Sequence, residues 1–257
     1  MKLVLVQPVL RHAPGETNVT ALRALLAPLA GTLSAGDCVL LPERFHLGGD
    51  PAEYLRDVAA LARELGCHVV GGSRFEPRGD TIVNSGVVVD ASGAVTGRYE
   101  KLRPYAIERA VVTPGTSLGE VTIAGHPALV LICADFWFAD LLTRAAALPD
   151  LVLVPALSVS RKATPDYSCS LWRHLAVSRA YELGCFIGVS DFDPASELPA
   201  LRASGVAGFA DPTALDPDAF FRAVPGSGVL VVDLDFAALE ALRRDRRERG
   251  FYWRDPG

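Results

Sequence analysis

Three residues in this chain combine a reactive side chain with a place at the end of an expected strand. Cys133 stands in Leu129-Val130-Leu131-Ile132-Cys133-Ala134-Asp135. A thiol at the end of a buried strand, with a helix starting soon after, is where α/β proteins put reacting groups, and the positive end of a helix favours thiolate. The same place also suits a small buried apolar residue, a common role of free cysteine. Lys101, in Tyr99-Glu100-Lys101-Leu102-Arg103-Pro104, can hold a thiolate or stabilise an oxyanion. Taken alone it reads equally as a solvated lysine. Glu43, in Leu41-Pro42-Glu43-Arg44-Phe45, can act as a general base, or be a surface charge paired with Arg44.

A competing pattern is Gly115-Thr116-Ser117-Leu118-Gly119, which matches a GxSxG nucleophile elbow. That elbow needs a strand before it and a helix after it. Here Pro114 precedes it and Glu120-Val121-Thr122-Ile123 follows with strand-like alternation, so a turn is expected and a serine hydrolase using Ser117 is the remote alternative. Histidines at 12, 46, 68, 126 and 174 show no HxxxH spacing, and the cysteines show no CxxC. No metal and no cofactor are therefore expected. His46 and His174 read as core or supporting groups. Gly71-Gly72-Ser73 is not a phosphate-binding GxGxxG. The run Arg243 to Arg249 contains Asp245 and Glu248, as a solvated helix face does.

The elements that must position these residues alternate between strands and helices. Strands are expected at Leu3 to Val6, Cys38 to Leu41 and Cys67 to Gly71, and helices at Thr17 to Leu33 and Ala52 to Leu65, with Pro28 a misfit inside the first. Ile82 to Val89 and Ala94 to Tyr99 flank a hairpin turn at Asp90-Ala91-Ser92-Gly93. Further strands are expected at Leu129 to Ile132, Leu151 to Val154, Phe186 to Val189, near Gly205 to Phe209 and at Val229 to Val232. Helices are expected at Phe138 to Ala147, at Ser170 to Leu183 and from near Phe236. The Pro- and Asp-rich stretch Asp191 to Pro217 is long enough to be a mobile or functional loop region. The pattern is α/β with both crossover and hairpin connections, and one domain over residues 1–257, with a C-terminal helix and tail from about 236, is the expectation.

Composition narrows the class. The chain has 257 residues, 50% hydrophobic and 21% charged, which excludes a disordered segment, a fibre and a disulfide mini-protein. Its 25 basic and 30 acidic residues give a formal net charge of -5, against nucleic acid as a partner. Five cysteines, at 38, 67, 133, 169 and 185, are an odd number with no paired spacing, so free thiols and a reducing, cytoplasmic location are expected. Leu3 to Val6 is too short for a signal peptide, and no apolar run approaches the roughly 20 residues that span a bilayer, so no membrane partner is expected.

Taken together these segments resemble the nitrilase superfamily of carbon-nitrogen hydrolases, in order and over nearly the whole chain. Lys2 to Gln7 is similar to the opening strand, Leu41-Pro42-Glu43 to the first catalytic motif, and Val69-Val70-Gly71-Gly72 and Val83-Asn84-Ser85 to the strands that follow. Gly97-Arg98-Tyr99-Glu100-Lys101 resembles the lysine motif, Leu131-Ile132-Cys133-Ala134-Asp135 the nucleophile motif, and Trp172 to Glu182 the helix after the active site. The resemblance implies a four-layer α-β-β-α sandwich and a Glu-Lys-Cys triad. Cys133 would be the nucleophile, Glu43 the general base, Lys101 the oxyanion stabiliser, and Glu108, in Ile107-Glu108-Arg109, the second glutamate. A backbone N–H after Cys133, of Ala134 or Asp135, would complete the oxyanion site. Subunits would pair as a homodimer or higher homo-oligomer through Phe138 to Ala147 and Ser170 to Leu183.

Within the family, nitrile-cleaving members usually place Trp-Glu after the cysteine. Ala134-Asp135 is closer to the Tyr-Asp of amidase-like members, with Ala in place of Tyr widening the pocket. Carbamoylase-like members carry arginines shortly after the cysteine, where this chain has Phe136-Trp137-Phe138. An aromatic wall suits an apolar or flat acyl group, and the same rings suit core or dimer contacts. Ser158 and Arg161 are expected at the pocket rim, Arg161 either binding an acidic substrate tail or lying on the surface. The expected reaction is hydrolysis of a small carboxamide through a cysteine thioester. The alternatives are a nitrile or N-carbamoyl hydrolase and a non-catalytic scaffold.

Overall fold

Alternation along the first strand sets the architecture. In β1 (Lys2–Val6), Leu3 and Leu5 belong to one apolar cluster and Val4 and Val6 to another. Side chains on a strand alternate between faces, so a strand apolar on both faces must be covered on both. Leu3 and Leu5 face a second sheet: a Cβ on Gly188 would meet both leucines at 2.9 Å. Val4 and Val6 share their cluster with residues of α1 (Val19–Leu26) and α2 (Pro51–Leu65). The order helix, sheet, sheet, helix follows.

The computed structural model describes residues 1–199 and 201–252; the end of the expected C-terminal tail, 253–257, and residue 200 in the expected loop region lie outside the described residues. Among the described residues the first sheet has seven strands. Its parallel centre is β1, β2 (Cys38–Leu40) and β3 (His68–Val70). β4 (Arg74–Arg78), β5 (Thr81–Val89) and β6 (Val95–Glu100) extend one side by antiparallel pairing. The second sheet has six strands: β7 (Gly119–Ile123), β8 (His126–Val130), β9 (Leu151–Pro155), β10 (Phe186–Ser190), β11 (Gly208–Ala210) and β12 (Phe221–Ala223). β8, β9 and β10 are its parallel centre. β13 (Val229–Asp233) returns to pair antiparallel with β1. A short α3 (Ala139–Thr143), α4 (Asp166–Leu183) and α5 (Phe236–Glu248) follow in chain order, and Trp172, Ala176, Ala180 and Leu239 of the last two join the core of the second sheet.

Several elements depart from their expected bounds. The first helix ends at Leu26 and tightens into a 3₁₀ turn at Ala27–Leu29, because Pro28 has no N–H for an α-helical bond. The helix expected over Phe138 to Ala147 is reduced to α3, after a 3₁₀ turn at Cys133–Trp137. α4 begins four residues earlier than Ser170, at Asp166. β4, not expected, is an edge strand paired with β5, where Pro77 needs no ladder partner for a missing N–H. The stretch after Asp191 is anchored to the body: Phe192 and Ala203 are buried, Ser204 N–H donates to Ser158 O at 3.0 Å, and Asp193 N–H donates to Pro8 O at 2.9 Å.

Candidate active site

Glu43, Lys101 and Cys133 follow the C-terminal ends of β2, β6 and β8. The first two hang from one sheet and the third from the other, and the face-to-face packing of the sheets brings all three together. Lys101, 2% exposed, places Nζ 2.6 Å from Glu43 Oε1 and 2.6 Å from Glu108 Oε2. A charge this deep persists only when paired, since an isolated buried ion costs several kcal/mol. Burial works against the Lys101 ammonium, but the Glu43 carboxylate, the Cys133 sulfur and the Glu108 carboxylate outweigh it and raise its pKa above the ordinary lysine value.

Asn84, on β5 and fully buried, completes the cluster. Its Nδ2 donates to Glu43 Oε1 at 2.9 Å and to Glu108 Oε1 at 3.3 Å. Leu157, past the end of β9, bonds to both Glu43 and Cys133: its N–H donates to Glu43 Oε2 at 3.1 Å, and its carbonyl accepts from Cys133 Sγ at 3.9 Å. Glu108 lies in a 3₁₀ turn, Ala106–Ala110, and Tyr105 N–H donates to its Oε2 at 3.0 Å. Burial raises Glu43 above the ordinary carboxylate range; Lys101 opposes this and Glu108 adds to it.

Cys133 sits in the left-handed region at φ 49. A non-glycine residue pays on the order of 1–2 kcal/mol to stay there. The expectation that a helix end favours thiolate is corrected: the turn after Cys133 is a five-residue 3₁₀ segment, and burial, with the Glu43 carboxylate beside it, raises the thiol well above its ordinary value despite Lys101. Cys133 is a neutral thiol at neutral pH. Asp135 N–H closes this turn onto Ile132 O at 3.1 Å, whereas Ala134 N–H has no hydrogen-bond partner among the described residues.

Of the residues expected to meet substrate, Ala134, Trp137, Ser158 and Arg161 line a cavity of about 350 Å³ that has Cys133 in its wall. Asp135 and Phe136 do not line it, which corrects their expected contact with substrate. The Asp135 carboxylate is 1% exposed and is taken up by the backbone N–H groups of Leu102, Arg103 and Ile132. Burial lifts it to about 6, against those N–H groups and Lys101. Phe136 is fully buried and stacks behind Trp172, with centroids 6.0 Å apart. Ser158 is narrowed too, because its hydroxyl donates to the buried carboxylate of Asp191. Arg161 lies over the Tyr105 ring at 5.3 Å. Trp172 and Tyr167, both from α4, line the same cavity and were not singled out in the sequence, nor was Leu157. Asn84 carried a legible signal: it is a polar residue inside an apolar strand.

Gly115 to Gly119 lead into β7, a strand, with no helix behind them, so the serine elbow lacks its geometry. Among the described residues no group of three or more His, Cys, Asp or Glu is arranged to hold a metal, and no helix is long and apolar enough to cross a membrane.

The model of the carbon-nitrogen hydrolase family matches residues 34–244. No curated protein matches the chain. Among solved structures, the chain is similar to a CN-hydrolase superfamily protein from Xanthomonas campestris that carries an arsenic adduct in its active site (22% identity, TM-score 0.77, 97% of this chain and 94% of that one). It is similar to the amidase of Nesterenkonia sp. AN1, in a mutant form showing Michael addition of acrylamide at its active-site cysteine (23% identity, TM-score 0.74, 98% and 99%). It is also similar to Saccharomyces cerevisiae Nit3, a member of branch 10 of the nitrilase superfamily (19% identity, TM-score 0.76, 95% and 93%). At these identities the likeness is one of fold, a layered α-β-β-α sandwich.

Proposed function

Because the chain belongs to the carbon-nitrogen hydrolase family, we propose that it hydrolyses a small carboxamide through a thioester on Cys133, with Glu43 as general base and Lys101 as oxyanion stabiliser. The observation that carries this reading is Lys101 Nζ held at 2.6 Å from both Glu43 and Glu108 behind a cavity that has Cys133 in its wall.

Cys133 Sγ attacks the amide carbonyl carbon as its proton passes to Glu43, so no standing thiolate is needed. The carbonyl oxygen becomes an oxyanion, received by the Lys101 ammonium and the unpartnered Ala134 N–H. The αL geometry of Cys133 aims that N–H and the thiol from one turn. Loss of one such donor typically costs on the order of 3 kcal/mol in the transition state. The C–N bond then breaks, the nitrogen takes the proton held by Glu43, and ammonia or an amine leaves. Glu43 next takes a proton from water, the hydroxide adds to the thioester carbonyl, and the acid departs as Cys133 recovers its proton. Glu108 gives Lys101 its second carboxylate partner, and Asn84 donates to both carboxylates.

The amide is preferred over the nitrile because Ala134-Asp135 stands where nitrile-cleaving members usually have Trp-Glu, and over the N-carbamoyl acid because Phe136-Trp137-Phe138 stands where carbamoylase-like members carry arginines after the cysteine. Incubation with a panel of amides, nitriles and N-carbamoyl compounds tests the reading. Amide turnover, with an acyl adduct on Cys133 seen by mass spectrometry, is expected. Nitrile turnover with inert amides would sink it, and full turnover by Cys133→Ala would sink the triad.

A further inference from the structure

A second cavity, of about 450 Å³, shares no lining residue with that of Cys133. His12, Arg44, His46, Arg74, Phe75 and Pro77 are in its wall. Four of these carry a buried side-chain nitrogen without a hydrogen-bond partner: Nε2 of His12, Nε of Arg44, Nδ1 of His46 and Nη1 of Arg74. Buried donors are nearly always satisfied, and each orphan costs about 1–3 kcal/mol. His46 Nε2 faces the Asp57 carboxylate at 3.2 Å, so a neutral His46 has no proton left for Nδ1; the other three can donate, and three orphaned donors on the wall of one cavity point to an acceptor ligand.

The charges agree. Among the described residues neither arginine has an ion-pair partner, although Arg74 is only 3% exposed. Arg44 lies over the Phe75 ring at 3.8 Å. The Arg74 guanidinium donates to the backbone carbonyls of Phe75 and Gly49 at 3.0 and 3.3 Å. Nearby carboxylates are engaged elsewhere. Glu76 accepts from Ser85 and Arg78, Asp50 from Ala52 N–H and Arg56, and Glu43 from Lys101, Asn84 and Leu157. Glu53, close to Gly48, offsets one of the two positive charges through space. Burial lowers both guanidinium groups from their ordinary value and, helped by Arg44, pushes His12 down to about 4. Burial also lowers His46, so both histidines are neutral at neutral pH: His46 spends its one N–H on Asp57, and His12 can present Nε2–H to the cavity, beside two cations.

We infer that this cavity binds a small oxyanion ligand, a carboxylate or a phosphate, held by Arg44 and Arg74 with N–H donation from His12. Guanidinium groups suit planar and tetrahedral oxyanions because they present several donors in a fixed fork. Phe75 and Pro77 give an apolar body somewhere to lie. The site also touches the first one through the chain: Arg44 follows Glu43, and Arg44 N–H donates to Ser73 Oγ at 3.2 Å, next to Arg74.

Isothermal titration calorimetry on the full chain tests this with sodium phosphate and sodium succinate as probes, at ionic strength fixed with sodium chloride. At least one probe should bind saturably. Arg44→Gln and Arg74→Gln should each weaken it by about tenfold or more, and Arg244→Gln, on the exposed face of α5, should not. Phosphate binding alone assigns a phosphate ligand, and succinate binding alone assigns a carboxylate. No saturable binding of either probe overturns the inference, as does an affinity unchanged in Arg44→Gln. That variant alters a half-buried side chain and keeps the test alive if Arg74→Gln fails to fold.

Discussion

The Asp135 carboxylate accepts the backbone N–H of Leu102 with both oxygens, each at 3.1 Å. It also takes the N–H of Arg103 at 2.7 Å and that of Ile132 at 3.3 Å. One side chain thus fastens the segment after Lys101 to the turn that carries Cys133. Asp135→Asn replaces one acceptor oxygen by a donor and leaves backbone N–H groups facing it. The variant should lose about 2–3 kcal/mol of stability and about a hundredfold in kcat/KM. Thermal melts and amide kinetics check this, and near-wild-type values for both would remove Asp135 from any positioning role.

The pH profile follows from the directions of the two reacting groups. In the proposed mechanism Glu43 must be ionised to accept the thiol proton, and burial raises its pKa. Activity should therefore fall on acidification through a limb above the ordinary carboxylate value of about 4.3. The Cys133 thiol is raised well above its ordinary value by burial and Glu43, so kcat/KM should stay flat through about pH 8–9, where an ordinary thiol ionises. A rise there would mean that a thiolate forms before attack.

Asn84 donates to both carboxylates that flank Lys101. Asn84→Ala leaves two buried carboxylate oxygens short of a donor. The expected result is a stability loss of about 2–3 kcal/mol and a fall in kcat of at least tenfold, with KM changing less, because the side chain acts through Glu43 and Glu108. Unchanged kinetics in a folded variant would confine Asn84 to packing.

Ser117 lies in a bend that runs into β7. Ser117→Ala should keep activity within about twofold, while Cys133→Ala abolishes it. A dead Ser117→Ala that melts like the wild type would instead place the chemistry at the GxSxG pattern.

What was legible in the sequence was whatever depends on local pattern. Glu43, Lys101 and Cys133 stand at the ends of apolar runs, and their strands and the α/β class followed from alternation and order, while the four-layer arrangement came from the family resemblance. What escaped depends on distant partners. Asp135 looks like a cavity carboxylate beside Cys133 until the chain from residue 102 is laid against it. Phe136 and Trp137 are neighbours in an aromatic run, yet the 3₁₀ turn buries one and puts the other in the cavity wall. α3 was overestimated because Leu141, Leu142 and Ala145 keep a helical spacing that continues beyond the hydrogen-bonded turns. β4 was missed because Glu76, Pro77 and Arg78 carry no apolar alternation; β5 supplies the pairing that makes the strand. Leu157 acts through its backbone, which no side-chain pattern announces.

The pairing of β13 with β1 has a bearing on the order in which the molecule is made. Lys2–Val6 leaves the ribosome long before one of its two neighbours, Val229–Asp233. Until that segment arrives, one edge of β1 is bare, and an open edge is an aggregation hazard. The sheet that carries Glu43 and Lys101 is thus completed after Cys133 has been synthesised. A nascent chain therefore carries the Cys133 thiol while the edge of the sheet that faces it is still open.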